Sequence, residues 1–328
     1  MITLKEVAAA ANVSTVTASS VLSGVNRVRV APATAERIRR TAKNMNYVPL
    51  AAARGLRTGR TRIISFVASA ISHHHWDDAW HEALKGVSDL MWEREERLML
   101  VMPRNREHEL EIIRQMAFGR QVDGFIIQAG NDMDQERLSI LNQSDRPFVM
   151  TGGLPRNDIN CVVFDMEAFA ETVIAEVGDD CGAVLLVLPK NGRNYIYDRF
   201  QAKFKEWAEA RSCKFTIWDG AFIPEAEWLA EKRREGGGGC LAVVLLRGLL
   251  PEMIQALDDG GIPTGSGSRI VFVTTGEEVL MPPPGLSVVH FDNYSLGRRS
   301  AKLLMQLVDD GAGAAGPHKV VIPATPEV

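Results

Sequence analysis

Six hydroxyl side chains stand among the twelve residues VSTVTASSVLSG, numbered 13–24. They are Ser14, Thr15, Thr17, Ser19, Ser20 and Ser23. Serine and threonine are indifferent helix formers, because their side chains compete for nearby backbone groups. The apolar residues of the stretch nevertheless recur at helical spacing: Val13, Val16, Ala18, Val21 and Leu22. The pattern predicts a short helix with a hydroxyl-bearing face, and such hydroxyls can donate to phosphate oxygens or approach base edges.

The same end of the chain carries a concentrated positive charge. Residues 1–62 contain eleven Lys and Arg residues against two acidic residues, Glu6 and Glu36, so the net charge of this segment is +9. The whole chain of 328 residues has a net charge of −4, and the other 266 residues therefore sum to −13. A small basic segment on an acidic body is typical of a protein that binds a polyanion. A solvated basic face would account for single residues but not for this concentration.

Three helices are predicted to position the hydroxyl face. A capping-box pattern at Thr3 and Glu6 begins a helix over about residues 4–11. A second helix is expected over 14–22, where a serine is a good N-cap, and a third over 32–44, where a proline suits the first position. Two short helices joined by a tight turn and supported by a third make a helix-turn-helix unit.

The second helix of such a unit enters the major groove of DNA with its N-terminal residues near the base edges. We expect four apolar residues to face inward: Val13, Ala18, Val21 and Leu22. The positions on the DNA side are then Thr15, Val16, Thr17, Ser19 and Ser20. From the residues alone, a capped Ser/Thr-rich helix in another kind of small bundle remains an alternative.

Residues 3–62 resemble the head and hinge of the LacI/GalR family of bacterial transcription regulators. The motifs that carry the resemblance are V-S-x-x-T at 13–17, N-Y-x-P at 46–49 and L-R-T-G-R-T at 56–61. It implies that Thr15, Val16 and Ser20 read bases. It implies backbone contacts from five more residues: Ser14, Thr17, Ser19, Thr34 and Tyr47. Ser20 stands where an arginine is usual, and serine cannot bond guanine in the bidentate manner of arginine, so the operator preference does not carry over.

The stretch LAAARGLRTG at 50–59 is too short to be a stable helix alone. The resemblance implies a hinge that becomes ordered on DNA, where Leu56 of each subunit of a dimer wedges into the minor groove and bends the duplex. Arg54 and Arg57 would hold phosphates, and Ala53 belongs to the same set of DNA contacts. A flexible linker is the alternative.

From residue 62 onward, strands alternate with helices, which predicts parallel sheets covered on both faces. The predicted strands cover about 62–69, 97–103, 122–130, 146–152, 161–165, 182–189, 214–220, 240–248, 269–276 and 286–292. The predicted helices between them cover about 76–96, 107–119, 166–178, 198–211 and 294–309. Because one domain rarely contains so many strands, we expect two doubly wound α/β subdomains after an all-α helix-turn-helix head. The resemblance, weaker here, implies a periplasmic-binding-protein-like body in which the chain crosses three times between the subdomains.

The expected domain boundaries follow from these patterns. The DNA-binding domain covers residues 1–49, the hinge helix or linker 50–61, and the effector-binding and dimerisation body 62–328. Within the body, the first subdomain is expected at about 62–161 and 290–318. The second is expected at about 162–289 and 319–328.

The resemblance implies a small-molecule effector, usually a sugar or purine, in the cleft lined by the carboxyl ends of the strands. We expect eight residues to contact it: Ser69, Trp76, Gln128, Arg199, Phe222, Arg247, Glu277 and Phe291. Several positions depart from the family pattern, since Gly152 stands where an aspartate is usual and Phe291 replaces a polar residue. Fewer carboxylates mean fewer bidentate acceptors for sugar hydroxyls.

The stretch SHHHWDDAWHE at 72–82 follows the first strand at the expected mouth of the cleft. Asp77 and His81 are one helical turn apart and could share a metal ion. Three adjacent histidines do not converge on one face, so we expect a polar loop and helix start and no metal site. Trp76 and Trp80 could instead stack on a ligand ring.

Neither an enzyme nor a membrane protein is expected. The sequence has no G-x-S-x-G, no P-loop and no dinucleotide fingerprint, and GGGG at 236–239 precedes a strand and not a helix, so we expect no catalytic residue and no cofactor. It has no apolar run long enough to span a membrane and no secretory signal. The four cysteines are far apart, as expected of reduced thiols in a cytoplasmic protein associated with the nucleoid.

We therefore expect a homodimeric, sequence-specific repressor that binds double-stranded operator DNA under the control of a sugar-like effector. Two alternatives remain: a repressor that responds to a protein partner or to no ligand, and a metal-dependent enzyme built on His73–Glu82. The enzyme alternative would leave the charge of the head unexplained.

Overall fold

The structure is a computed structural model of the whole chain. It describes residues 2–22, 29–49, 55, 58–69, 78–129, 135–153, 156–188, 195–220, 222–246, 249–274, 282–311 and 317–322, with backbone alone at 78, 79 and 195–197. The chain forms two compact units. The first contains Met1–Arg62 and Arg120–Asp123, and the second contains Ile63–Gly119 and Gly124–Val328.

The first unit contains the three predicted helices. They are α1 (Leu4–Ala10), α2 (Thr15–Leu22) and α3 (Pro32–Asn44). The capping box at the start of α1 is confirmed, with the Glu6 backbone N–H donating to Thr3 Oγ1 at 3.3 Å and the Thr3 N–H donating to Glu6 Oε2 at 2.7 Å. The small core of this unit consists of Ala8, Ala11, Ala18 and Ile38, with Leu4, Val13, Val21 and Leu22 packed against it. The predicted inward face of α2 is therefore confirmed.

An asparagine ends each of the two outer helices. Asn12 and Asn46 have φ angles of 52° and 51°, in the left-handed region that asparagine tolerates better than most residues. After α1, the N–H groups of Asn12 and Val13 donate to Ala9 and Ala8 at 3.0 Å each. This Schellman turn satisfies the last carbonyls of α1 and makes the connection to α2 short.

The second unit begins with a parallel α/β subdomain. Its first elements are β1 (Ile63–Val67), α4 (Asp78–Glu93), β2 (Arg97–Val101), α5 (Arg106–Phe118), β3 (Gly124–Gln128), α6 (Gln135–Gln143), β4 (Phe148–Thr151) and β5 (Cys161–Phe164). After the second sheet, the chain returns through α11 (Asn293–Asp310) and β11 (Lys319–Ile322). The strands form one six-stranded sheet in the order β11-β5-β4-β3-β1-β2.

The second subdomain contains another parallel sheet. Its elements are α7 (Met166–Val177), β6 (Cys181–Val187), α8 (Tyr195–Ala210), β7 (Lys214–Trp218), α9 (Ala226–Glu235), β8 (Cys240–Leu246), α10 (Leu250–Asp259), β9 (Ser268–Thr274) and β10 (Leu286–His290). The strand order is β10-β9-β8-β6-β7. Apolar clusters cover both faces of this sheet, as the sequence predicts for a doubly wound sheet. None of the helices in the described part of the chain is long and apolar enough to cross a membrane.

The predicted boundaries between the two subdomains are wrong at three places. The strand β11 pairs in parallel with β5, Lys319 opposite Cys161, so residues 319–322 belong to the first sheet and not to the second subdomain. Residues 162–164 of β5 also belong to the first sheet, and His290 ends the second sheet. The chain therefore crosses between the sheets after β5 and after β10, and not at residue 318.

The two long helices α4 and α11 pack against each other through glycine. A Cβ atom on Gly297 of α11 would lie 1.7 Å from the carbonyl oxygen of Ala83, and one on Gly86 of α4 would lie 2.1 Å from the carbonyl oxygen of Tyr294. Only hydrogen fits at such a contact. The close approach lets α4 and α11 form a tight pair, and Val87, Met91, Leu304 and Leu307 belong to the core cluster of the first subdomain.

Replacing Gly297 by alanine is expected to destabilise the protein by about 2 kcal/mol or more, because the helices must move apart to admit a methyl group. Gly239 is the matched control, since a Cβ atom there would meet nothing within 4 Å. Gly239→Ala is expected to change stability by less than about 1 kcal/mol. Urea unfolding followed by circular dichroism measures both variants, and equal effects would contradict the role of the glycine contact.

Candidate functional site

The first candidate site is the exposed face of α2. Ser14 caps the helix, since its Oγ accepts the Thr17 N–H at 3.1 Å and lies 2.9 Å from Thr17 Oγ1. Thr15 and Val16 are exposed, and the Val16 side chain keeps 62% of its surface in solvent. Thr17 and Ser19 are partly exposed. An apolar side chain held in solvent on a helix beside hydroxyl-bearing residues is suited to contact a thymine methyl group.

Ser20 departs from the expected arrangement. Its residue is only 6% exposed, so in this structure it does not lie on the same surface as Val16. The expectation that Ser20 lies on the DNA side is therefore wrong for this structure.

Positive charge lies on α3, which packs against α2 in the small core of this unit. Arg39, Arg40 and Lys43 are exposed, while Arg37 donates from Nε to the Ala11 carbonyl at 3.2 Å and so ties α3 to the end of α1. The two other residues expected to contact the DNA backbone, Thr34 and Tyr47, are partly buried.

The hinge lies largely outside the described residues. Ala53, Arg54, Leu56 and Arg57 are all among the residues that the structure does not describe. Gly55 and Thr58 have helical backbone, and the Gly59 N–H donates to the Gly55 carbonyl at 2.8 Å.

Asp123 holds the end of the linker, a contact that the sequence analysis missed. Its carboxylate, 2% exposed, accepts the N–H groups of Thr61 at 2.7 Å and Arg62 at 2.9 Å. It also accepts the Thr61 hydroxyl at 3.0 Å and lies 3.4 Å from Arg60 Nε. A buried carboxylate with this many donors is well compensated for its lost hydration. The chain runs from Arg62 directly into β1 and from Asp123 directly into β3.

The second candidate site lies at the carboxyl ends of β1 and β3. Each sheet has a switch point, where the connections from two neighbouring strands run to opposite sides of the sheet. It lies between β1 and β3 in the first sheet and between β6 and β8 in the second. Ligands of open α/β sheets bind at such a switch point. Ser69, two residues after β1, donates its N–H to Gln128 Oε1 at 2.9 Å, and both residues are buried. Two predicted effector residues are thus brought together at the switch point of the first sheet.

Trp80 covers the neighbouring strand end. A Cβ atom on Gly152, which follows β4, would lie 3.3 Å from the indole ring of Trp80, and the φ angle of Gly152 is +71°. The ring also lies 6.2 Å from that of Phe66, measured between centroids. The positive φ angle favours glycine at position 152, and the nearby indole leaves little room for a longer side chain there.

The second sheet contributes fewer described candidates. Arg247 and Glu277 lie outside the described residues, as does Trp76 of the first subdomain. In the sequence, Arg247 directly follows β8. Phe222 is 82% exposed, and its carbonyl accepts the indole N–H of Trp218 at 2.7 Å. Arg199 pairs with Glu167 of α7, and both side chains are about half exposed.

Phe291 packs where the chain crosses between the sheets. Its ring centroid lies 3.9 Å from that of Phe164 and 4.7 Å from that of Phe169. Each crossing has the sequence Phe-Asp, and each aspartate caps the helix that follows: Asp165 accepts the Ala168 N–H at 3.0 Å and Asp292 accepts the Ser295 N–H at 2.9 Å. The two crossings are therefore joined by aromatic packing.

A buried ion pair supports Gln128 from the side of the sheet. Arg137 Nη1 of α6 lies 2.6 Å from Glu109 Oε1 of α5 and 3.4 Å from the Gln128 carbonyl oxygen. Both charged side chains are almost fully buried. Nothing in the spacing of Glu109 and Arg137 along the sequence indicates that they are in contact.

Most of the histidine-rich stretch lies outside the described residues. Among its side chains that could bind a metal, the structure describes those of His81 and Glu82. His81 is exposed, and Glu82 lies 3.7 Å from Lys85 Nζ. Within the described ranges, no three His, Cys, Asp or Glu side chains are grouped as a metal site would require.

Comparison with known proteins now adds to this geometry. Residues 3–49 match the family model described as "Bacterial regulatory proteins, lacI family". The chain is 25% identical over 323 residues to the HTH-type transcriptional regulator pepR1 of Lactobacillus delbrueckii subsp. lactis, covering 94% of this chain and 92% of that protein. It is 25% identical over 304 residues to the HTH-type transcriptional repressor PurR of Histophilus somni (strain 2336), covering 91% and 84%.

The fold is shared with a solved repressor. The structure of the lac repressor dimer bound to operator and the anti-inducer ONPF matches with a TM-score of 0.74 and 19% identity, covering 98% of this chain and 97% of that one. The likeness extends over the helical head and both parallel sheets, so the body has the periplasmic-binding-protein-like fold. The head of the chain therefore resembles the LacI family of bacterial regulatory proteins, and the chain shares the fold of a solved repressor over nearly its whole length.

Proposed function

We propose that this protein is a homodimeric transcriptional repressor that binds operator DNA through α2 and responds to a small molecule in the body. The observation that carries the proposal is the exposed face of α2, with Thr15 and Val16 in solvent on a helix that packs against the basic helix α3. Residues 1–49 form the DNA-binding domain, 50–61 the hinge, and the remainder the effector-binding and dimerisation body. Because its partner is operator DNA, the protein works in the cytoplasm at the nucleoid. The proposal contains no catalytic step.

The head divides the work between base and phosphate contacts. Thr15 and Val16 approach base edges, since they are the exposed residues of the first turn of α2. Ser14, Thr17, Ser19, Thr34 and Tyr47 fix the register through backbone phosphates. In the hinge, Leu56 of each subunit enters the minor groove, with Ala53 beside it and Arg54 and Arg57 on phosphates. A dimer presents two heads to two half-sites.

The effector binds at the switch point formed by Ser69 and Gln128, and the predicted contacts from Arg247, Glu277 and Trp76 belong to the same proposal. Arg199, Phe222 and Phe291 complete the predicted contacts from the second subdomain. The indole of Trp80 beside Gly152 supplies a flat apolar surface where a carboxylate would otherwise accept sugar hydroxyls. This feature favours an effector with a ring face to stack, either a sugar ring or a purine.

The effector and the head are linked through β1 and β3. Ser69 follows the carboxyl end of β1 and Gln128 is the last residue of β3, while Arg62 and Asp123 precede the amino ends of these strands. A ligand that changes the spacing of the strands would therefore alter the segment at which the hinge ends. Binding at one site then changes affinity at the other, in either direction, by linkage.

Val16→Ala is expected to weaken operator binding about fivefold to tenfold, because it removes methyl groups that contact a base edge. Binding to a random duplex is expected to stay within about twofold. The matched variant Tyr47→Phe removes one hydrogen-bond donor to phosphate and should weaken binding to the operator and to the random duplex by the same factor. Fluorescence anisotropy at fixed salt measures all four affinities, and an equal loss on both duplexes for Val16→Ala would show that this residue does not read bases.

A thermal-shift screen of the full chain against sugars, sugar phosphates, purines and polyols tests the effector, because a ligand of the folded state raises the melting temperature. Trp80→Leu is expected to weaken the ligand found by about tenfold through loss of stacking area. Trp92→Leu on the same helix is the control, because Trp92 is largely exposed, and should leave affinity unchanged. No shift with any compound would favour a repressor that responds to a protein partner or to no ligand.

Asp123→Ala is expected to destabilise the protein by about 2–4 kcal/mol, because two backbone N–H groups and a hydroxyl lose their buried acceptor. Amide hydrogen exchange at Thr61 and Arg62 should become faster. Asp158→Ala is the control, since Asp158 is exposed and its pair with Arg156 contributes little. Unchanged exchange at Thr61 and Arg62 in Asp123→Ala would contradict the anchoring role.

A further inference from the structure

Two cysteines that are 59 positions apart in the sequence are neighbours in the second sheet. Cys181 begins β6 and Cys240 begins β8, and these parallel strands pair with Cys181 directly opposite Cys240. Neighbouring strands lie about 4.8 Å apart, which is within the range of Cα separations that a disulfide bridges. The register shifts just after this pair, between Cys181 and Ala183, so the first residue of β6 is offset from the rest of the ladder.

The two thiols differ in their surroundings. Cys181 is buried and Cys240 is partly exposed. Cys181 Sγ lies 3.9 Å from Arg269 Nη1, and that guanidinium is also held by Asp180, 2.9 Å away. Cys213 is also partly exposed, but its Sγ lies 3.8 Å from the Lys214 carbonyl oxygen, and no described cysteine lies opposite it in the sheet.

The pairing changes the acidity of the exposed thiol. A hydrogen bond from Cys181 lowers the pKa of Cys240 to about 7, and the positive charges of Arg269 and Arg233 act in the same direction. The same hydrogen bond, with burial, raises the pKa of Cys181. Burial raises the pKa of Cys161 and Cys213, which remain protonated near neutral pH. The pair therefore holds one reactive thiolate beside one thiol.

We propose that Cys181 and Cys240 form an oxidant-sensitive dithiol site that a peroxide converts to a disulfide. The Cys240 thiolate attacks the O–O bond of hydrogen peroxide, forms an S–O bond and releases hydroxide, which takes a proton to become water. The Cys181 sulfur, losing its proton, then attacks the Cys240 sulfur and expels the second oxygen as water. Two thiols are oxidised by two electrons, and one peroxide is reduced to two waters.

The location limits what the disulfide would disturb. Both cysteines begin their strands, so they lie at the amino edge of the second sheet, opposite the carboxyl edge where the switch point lies. Disulfides in reducing compartments are usually transient and redox-sensing, which suits a pair with an exposed attacking member. This inference does not depend on the effector or on the operator.

The experiment treats the reduced full chain with hydrogen peroxide, blocks the remaining thiols and maps peptides by mass spectrometry without reduction. A Cys181–Cys240 linkage that dithiothreitol reverses is the expected result. Intact Cys181 and Cys240 thiols, or oxidation spread equally over all four cysteines, would overturn the proposal.

Cysteine variants separate the two roles. In Cys181→Ser, oxidation of Cys240 should stop at the sulfenic acid, which dimedone labels. Cys213→Ser is the matched control and should form the Cys181–Cys240 disulfide as the parent chain does. In the native parent, iodoacetamide at pH 7 should alkylate Cys240 at least about sixfold faster than Cys213, because the pKa of Cys240 is lowered to about 7 and that of Cys213 is raised above its ordinary value. Equal alkylation rates, or dimedone labelling of Cys213 in place of Cys240, would overturn the proposal even if one variant folds poorly.

Discussion

Every strand pair within the two sheets is parallel, and this constraint organises the body of the protein. A parallel pair cannot be joined by a tight turn, so each connection must cross the sheet, usually as a helix. The helices then cover both faces, and the connections that leave the carboxyl ends of the strands gather at one edge. Ser69, Gln128 and Gly152 meet there for that reason, although they are far apart in the chain.

The same constraint gives the two ends of a strand different roles. The amino ends of β1 and β3 continue from Arg62 and Asp123, where a buried carboxylate holds the linker, and the carboxyl ends lead to the polar pair of the crevice. A strand of five residues spans about 16 Å and is held by hydrogen bonds on both sides. It therefore transmits a displacement from one end to the other better than a loop would, which is the physical basis of the linkage that we propose.

Patterns of the sequence predicted most of the elements but not all of them. The strands rich in Val, Ile and Leu and the long amphipathic helices α4 and α11 were predicted within a few residues of their observed ends. The helices α6, α9 and α10 and the strand β11 were missed. Each is short and buries few side chains, as α9 does with Leu229. The apolar periodicity of these elements is therefore weak, and their stability comes from packing on the sheet.

The sequence by itself determined the local features: the three-helix head with its capping box, its asparagine turns and inward apolar residues, the charge of the head, and the alternation that requires parallel sheets. These depend on residues within a few positions of one another. Only the tertiary structure decided the burial of Ser20, the return of β11 to the first sheet, the position of the Trp80 indole beside Gly152, and the pairing of Cys181 with Cys240. Those contacts join residues from different parts of the chain, and their partners are set by strand order and register, which no local pattern specifies.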